Sequence, residues 1–203
     1  MSRPEPFAEL RELDAPVVRT REAAALWRTE EGNARRRLQS LARAGLVVSL
    51  RPGLWALDRE LDPFALAPYL TAPLPAYVST FSALAAHAMI EQIPGRVSVV
   101  SLDRARRIET AIADFEIHHL APELFGGYVP WGRGGQVASP EKALFDLTYL
   151  RAAAGGRAYL PELSLPEGFE RGALDSWVER IKSPRLKTIV GRRLRELLAA
   201  ASS

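Results

Sequence analysis

A chain of 203 residues, 47% hydrophobic and 25% charged, suffices for one large domain or two small ones and can pack a core. It holds no cysteine, which excludes disulfides, cysteine zinc fingers, iron–sulfur clusters and thiol catalysis, and agrees with a cytoplasmic protein. No run reaches the ~18 consecutive apolar residues of a membrane span, and Met1–Leu13 lacks the apolar core of a signal peptide. The net charge of +3 divides into +2 over residues 1–58, −4 over 59–170 and +5 over 171–203. Basic ends around an acidic middle point to phosphate at the ends, although an Arg- and Ala-rich composition accounts for part of the C-terminal excess.

Pro6–Leu13 reads as a first helix with Phe7, Leu10 and Leu13 on one face. Ala15-Pro16-Val17-Val18 breaks it into an extended segment. Thr20 then stands as the N-cap of a second helix, Arg21–Trp27, and Thr29 as the N-cap of a third, with Glu30 and Glu31 in its first turn. The third helix runs to about Ala44 and stops at Gly45. At 100° per residue, Ala34, Leu38 and Leu41 form its apolar stripe. Gly32, Arg36, Gln39, Ser40 and Arg43 fall opposite, flanked by Asn33, Arg35 and Arg37. Leu46–Leu50 and Leu54–Leu57 around Arg51-Pro52-Gly53 read as a β-hairpin with Arg51 at its tip.

A lone Arg-rich amphipathic helix is usually a solvated face. Here the helix-turn-helix spacing, the trailing hairpin and the stretch Gly32–Leu57, with five arginines and no acid, make a different case. They point to a winged helix-turn-helix over residues 1–60 that binds double-stranded DNA. Its candidate contacts are Thr29, Asn33, Arg35, Arg36, Arg37, Gln39, Ser40, Arg43 and Arg51. Arg, Gln, Asn and Ser can donate to phosphates and to base edges in the major groove.

Residues 58–75 carry four prolines and read as a linker or loosely helical bridge. Ser79 reads as the cap of a helix to about Gln92, with Phe81, Leu84, Ala85 and Ala88 inward, ended by Pro94-Gly95. Arg96–Leu102, Asp114–Leu120 and Gln136–Ala138 read as strands, with a Gly- and aromatic-rich loop or irregular hairpin over 126–135. Ser139-Pro140-Glu141 gives a cap, a proline at N1 and an acid in the first turn of a largely apolar helix to about Leu150. Trp177–Ile181 and Leu186–Ala200 read as closing helices. The expected architecture is α+β: the winged helix-turn-helix, then a small mixed α/β domain over residues 61–203.

Signs of chemistry are sparse. Lys142 and Asp146 lie four apart on one helix face with Glu141 beside them; such a pair more often fixes a helix than catalyses. His118 and His119 on one strand point to opposite sides, so neither they nor the lone His87 suggests a metal site. No P-loop or Gly-x-Ser-x-Gly elbow occurs, so no enzyme and no cofactor is expected. A nucleic-acid-processing activity of Glu141, Lys142 and Asp146 is the minor alternative. Arg185, Lys187, Arg192, Arg193 and Arg195 form a candidate second phosphate patch on the last helix.

Three stretches resemble one family. Val137-Ala138-Ser139-Pro140-Glu141-Lys142-Ala143-Leu144-Phe145-Asp146-Leu147 resembles the signature of AbiEi-type antitoxins. Tyr77–Leu84 followed by Ile90-Glu91-Gln92-Ile93-Pro94 is similar to the same family, as are Leu41–Val47 and Arg51–Leu57 to its winged helix. The likeness covers about residues 5–150. It departs at Trp55, where the family often has tyrosine, so aromatic character alone carries over there. The resemblance implies a bacterial type IV antitoxin that represses its own operon by binding inverted repeats in its promoter. It also implies that the C-terminal domain, with Ser139, Glu141, Lys142 and Asp146 in its motif, helps neutralise a nucleotidyltransferase-like toxin. A stand-alone winged-helix regulator without a toxin partner is the alternative.

Overall fold

In the computed structural model, residues 5–132, 134–160 and 162–201 are described. Six elements build the first part in the order α1 (Glu5–Glu12), β1 (Val17–Arg19), α2 (Thr20–Leu26), α3 (Glu31–Arg43), β2 (Val48–Arg51) and β3 (Leu54–Ala56). The strands form an antiparallel sheet in the order β1-β3-β2, so the segment after Pro16 closes the hairpin's open edge. Phe7 and Leu10 of α1, Ala23 and Ala24 of α2, and Ala34, Leu38 and Leu41 of α3 meet Val18, Val47 and Trp55 in one apolar cluster. Leu13, expected on the buried face of α1, lies beyond the helix end and is exposed.

Two expected caps are corrected. Thr20 is the first residue of α2, not its cap: Arg19 takes that place, its backbone N–H donating to the Glu22 carboxylate at 2.7 Å. The Thr20 hydroxyl instead accepts from the buried indole N–H of Trp55 at 3.0 Å, tying α2 to the sheet. Thr29 does not cap α3, whose cap is Glu30. The Thr29 N–H closes α2 by donating to the Ala24 carbonyl at 3.0 Å, after Arg28 has turned to a φ of 47°. This two-bond ending at a left-handed residue satisfies the last carbonyls of α2 and assigns Thr29 to the turn.

The second part is a six-stranded mixed sheet of β4 (Ala76–Val78), β5 (Val97–Ser101), β6 (Arg106–Glu109), β7 (Asp114–His119), β8 (Tyr128–Trp131) and β9 (Gly135–Ala138). Their order is β6-β7-β5-β4-β9-β8. The central pair β5–β4 is antiparallel, the parallel pairs β5–β7 and β4–β9 flank it, and antiparallel strands form both edges. The helices of this part are α4 (Ala67–Thr71), α5 (Thr80–Ala86), α6 (Pro140–Ala153), α7 (Arg171–Glu179) and α8 (Pro184–Ala200). The irregular segment 126–135 is the β8–β9 hairpin, and β6 is an edge strand whose Arg-Arg-Ile-Glu sequence gave no apolar alternation to read.

The proline-rich stretch is not a free linker. Asp62 caps a 3₁₀ turn, Pro63–Leu66, by accepting from the Phe64 N–H at 2.9 Å, and α4 follows directly. Its Leu66, Ala67 and Leu70 are buried in the same cluster as Val17, Leu50, Leu54 and Ala56 of the first sheet. One face of that sheet therefore packs on the second part. The helix expected to reach Gln92 ends at Ala86: Ala88 adopts a φ of 53°, and the Met89 N–H donates back to the Leu84 carbonyl at 2.8 Å. Burial of Met89 rewards that turn, while Ala88 itself is exposed. α7 begins at Arg171, ahead of the expected Trp177. No helix among the described residues is long and apolar enough to cross a membrane.

Candidate nucleic-acid interface

The apolar stripe of α3 determines what its other faces present. With Ala34, Leu38 and Leu41 buried, Asn33, Arg35, Arg36, Arg37, Ser40 and Arg43 stand exposed and Gln39 is half-buried. Thirteen residues give this surface a length of about 20 Å. The face is partly pre-arranged. Arg36 Nη2 donates to Asn33 Oδ1 at 2.6 Å, and the Arg37 guanidinium lies 5.7 Å from the centre of the Trp27 ring. Among the described residues, none of the four α3 arginines pairs with a carboxylate. The face therefore keeps uncompensated positive charge and free donors, the chemistry that phosphate oxygens and base edges accept. Thr29 and Asn33 sit together at the mouth between α2 and α3, lining a shallow depression with Ala24, Arg28 and Glu30.

Arg51 ends β2, and Arg51, Pro52 and Gly53 are exposed as the sequence suggested. Gly53, at a φ of 80°, supplies the left-handed residue that this turn needs. The turn is not an isolated tip, however. It borders Tyr69, Leu70, Ala72 and Arg106 of the second part.

The cations of the expected C-terminal phosphate patch differ in their surroundings. Arg193 is half-buried and its Nη1 donates to the Gly156 carbonyl. Lys187 pairs with Glu179 at 2.8 Å, and Arg192 with Glu196 at 3.4 Å. Arg185 and Arg195 are exposed without a carboxylate partner among the described residues. The five cations thus do not act as one free surface: α8 spends three of them on packing α7, the 151–157 turn and its own exposed side.

In the motif at the start of α6, Glu141, Lys142 and Asp146 are buried and Ser139 is half-buried. Ser139 caps the helix, accepting from the Lys142 N–H at 3.2 Å, and donates its hydroxyl proton to Glu141 Oε2 at 2.8 Å. Glu141 also accepts from the Glu170 N–H at 2.9 Å, which fastens the approach to α7. Lys142 and Asp146 are both fully buried and joined as an ion pair. Asp146 further accepts from the Ser79 hydroxyl at 2.7 Å and the Tyr77 hydroxyl at 3.1 Å. The Lys142 ammonium lies 4.4 Å from the centre of the Trp177 ring and 5.0 Å from that of Phe145. Burial pushes the Lys142 pKa down and the Asp146 pKa up, and raises that of Tyr77, with the Asp146 charge as its second cause. The cluster bonds α6 to β4 in the centre of the sheet. Sequence spacing located Lys142 and Asp146, but it could not show that Tyr77 and Ser79 complete them.

His118 and His119 point to opposite faces of β7. His118 is half-buried, and burial lowers its pKa, while the exposed His119 reaches the Asp103 carbonyl at 3.2 Å. His87 Nε2 meets the Ala138 carbonyl at 2.8 Å and thereby packs α5 on β9. No family model matches the chain, and no curated protein matches it.

Proposed function

We propose that this protein is a DNA-binding transcriptional autorepressor whose first 60 residues act as a winged helix-turn-helix, with residues 61–203 as a second domain. One observation carries the reading: the α3 surface opposite Ala34, Leu38 and Leu41 is exposed, basic and unpaired with acids. In this reading α3 enters the major groove. Arg36, Gln39, Ser40 and Arg43 face base edges or the walls of the groove, and Arg35 and Arg37 hold phosphates. Arg51 serves as the wing. The resemblance of residues 137–147 and 77–94 to AbiEi-type antitoxins extends the proposal to a cytoplasmic type IV antitoxin that restrains a nucleotidyltransferase-like toxin. No catalytic role is assigned to Glu141, Lys142 and Asp146: Lys142 and Asp146 pair with each other, Asp146 also accepts from Ser79 and Tyr77, and Glu141 accepts from Ser139 and the 170 backbone.

The test is binding to a duplex carrying the promoter of its own gene across a salt series. The Arg36→Ala/Arg43→Ala variant replaces exposed residues only, so it should keep the fold. It should bind more weakly, with a salt slope lower by about 0.9 for each phosphate that is no longer neutralised. Wild-type affinity and slope in that variant would refute the assignment. Co-expression with a nucleotidyltransferase encoded by the adjacent gene tests the antitoxin part, and growth rescue is the expected outcome. A stand-alone regulator is the second reading. In its favour stands a groove of about 770 Å³ between α1 and the 57–61 segment, walled by Phe7, Arg11, Pro16, Leu57 and Tyr69.

A further inference from the structure

The register of the first sheet places two arginines around one residue. Arg19 of β1 and Arg51 of β2 both stand opposite Leu54 of the central strand. Each is therefore about one strand spacing, ~4.8 Å, from β3, on opposite sides. The second sheet brings a third arginine to the same place. Arg106 opens β6 and is held rigidly: its Nη1 donates to Asp103 Oδ2 at 2.5 Å and to the Arg104 carbonyl at 3.2 Å. Its Nη2 donates to the Leu70 carbonyl at 3.1 Å. A guanidinium carries five N–H groups, so two of them remain without a protein acceptor among the described residues.

Arg19, Arg51 and Arg106 line one pocket of about 170 Å³, with Tyr69 in its wall. Two carboxylates stand near. Asp103 is paired with Arg106, and Glu22 lies 3.9 Å from Arg19 Nε while accepting the Arg19 backbone N–H at 2.7 Å. Arg51 has no acidic partner among the described residues, so the pocket keeps a net positive charge. Burial, and secondarily Glu22, raise the Tyr69 pKa, so the phenol keeps its proton and remains a donor. The volume is below the ~300 Å³ at which drug-sized ligand sites begin. A single tetrahedral oxyanion is the matching size, and guanidinium forks suit its oxygens.

We propose that this pocket, between the β2–β3 turn and the second sheet, binds a phosphate group held by Arg19, Arg51 and Arg106. A free phosphate monoester and a backbone phosphate of a nucleic acid offer the same oxygens, and both can fill it. The proposal shares Arg51 with the DNA-binding reading but does not rest on it.

The full chain is titrated with inorganic phosphate by calorimetry, with chloride at matched ionic strength as the blank. Saturable phosphate binding is expected, and Arg51→Ala should weaken it about tenfold, as expected on removing one charge-assisted hydrogen bond. Arg106→Lys, which keeps the charge and removes the fork, should weaken it similarly; if that variant misfolds, Arg51→Ala on its exposed turn still decides. No phosphate binding above the chloride blank, or undiminished binding by Arg51→Ala, overturns the proposal. A promoter duplex distinguishes the sources. Displacement of duplex by phosphate at constant ionic strength, with both variants losing duplex affinity, assigns a backbone phosphate. Duplex binding indifferent to phosphate and to both variants assigns a free monoester. Phosphate binding without any duplex binding supports the pocket and refutes the α3 reading alone.

Discussion

Replacing Lys142 by Met tests whether the buried cluster holds α6 to the sheet through charge. The methionine fills similar space among Trp177, Phe145 and Tyr77 but leaves Asp146, fully buried, with only the Ser79 and Tyr77 hydroxyls. Breaking a buried pair from one side costs about 3–5 kcal/mol. For a chain of this size that corresponds to a fall in Tm of about 6–20 °C. The loss must also depend on pH. Asp146 keeps the burial that raises its pKa and loses the neighbouring charge that lowered it. Its folded pKa then stands well above the unfolded value of about 3.9. The stabilising protonated form is present at low pH and lost as pH rises through the folded pKa, so the variant should be weaker at pH 8 than at pH 5. Lys142→Met/Asp146→Asn keeps an acceptor for both hydroxyls without a charge and should recover much of the loss. Thermal unfolding followed by circular dichroism at both pH values reads all three proteins. A penalty for Lys142→Met that is equal at pH 5 and pH 8, or a double variant no better than the single, would refute this reasoning.

Gly127→Ala should lower stability by about 1–3 kcal/mol in urea unfolding, since its Cβ would lie 2.7 Å from Trp177 Cζ2 at a φ of 70°; an unchanged midpoint would mean that Trp177 is not packed there. Ala88→Gly should raise stability by about 0.5–1 kcal/mol, because an exposed alanine is held at a φ of 53°. A lower Tm in that variant would contradict the left-handed ending of α5. His118, its pKa lowered chiefly by burial, stays neutral in the folded state where the unfolded chain protonates. Stability therefore falls as pH drops below about 6.5, the unfolded value. His118→Gln should flatten stability between pH 6.5 and 5, and a slope identical to that of the parent would exclude the histidine as its source.

Local rules explain much of this chain. Ser139 and Pro140 start α6 as cap and N1 residue, Gly45 closes α3, and the 3.6-residue spacing of Ala34, Leu38 and Leu41 separates a buried stripe from a basic face. Each depends on neighbours within one or two turns, so the sequence contains the information. Expectation and structure part where a residue has competing uses. Thr20 and Thr29 both have capping side chains, yet one hydroxyl is claimed by Trp55, 35 residues away, and the other residue is consumed in ending α2. The proline-rich stretch reads as a linker because proline denies backbone donors, but Leu66 and Leu70 find a core in the first sheet.

What the sequence determined was the local grammar: helices, their faces, the hairpin and the Lys142–Asp146 spacing. Tertiary structure alone decided which charges remain free. It buried Lys142 and Asp146 against Tyr77 and Ser79, spent Lys187 and Arg193 on neighbouring elements, and left the α3 arginines without carboxylate partners among the described residues. It also brought Arg106 beside Arg19 and Arg51. The reason is physical: a helix face or a cap follows from residues close in sequence, whereas the compensation of a charge depends on whatever the folded chain places within a few ångströms of it.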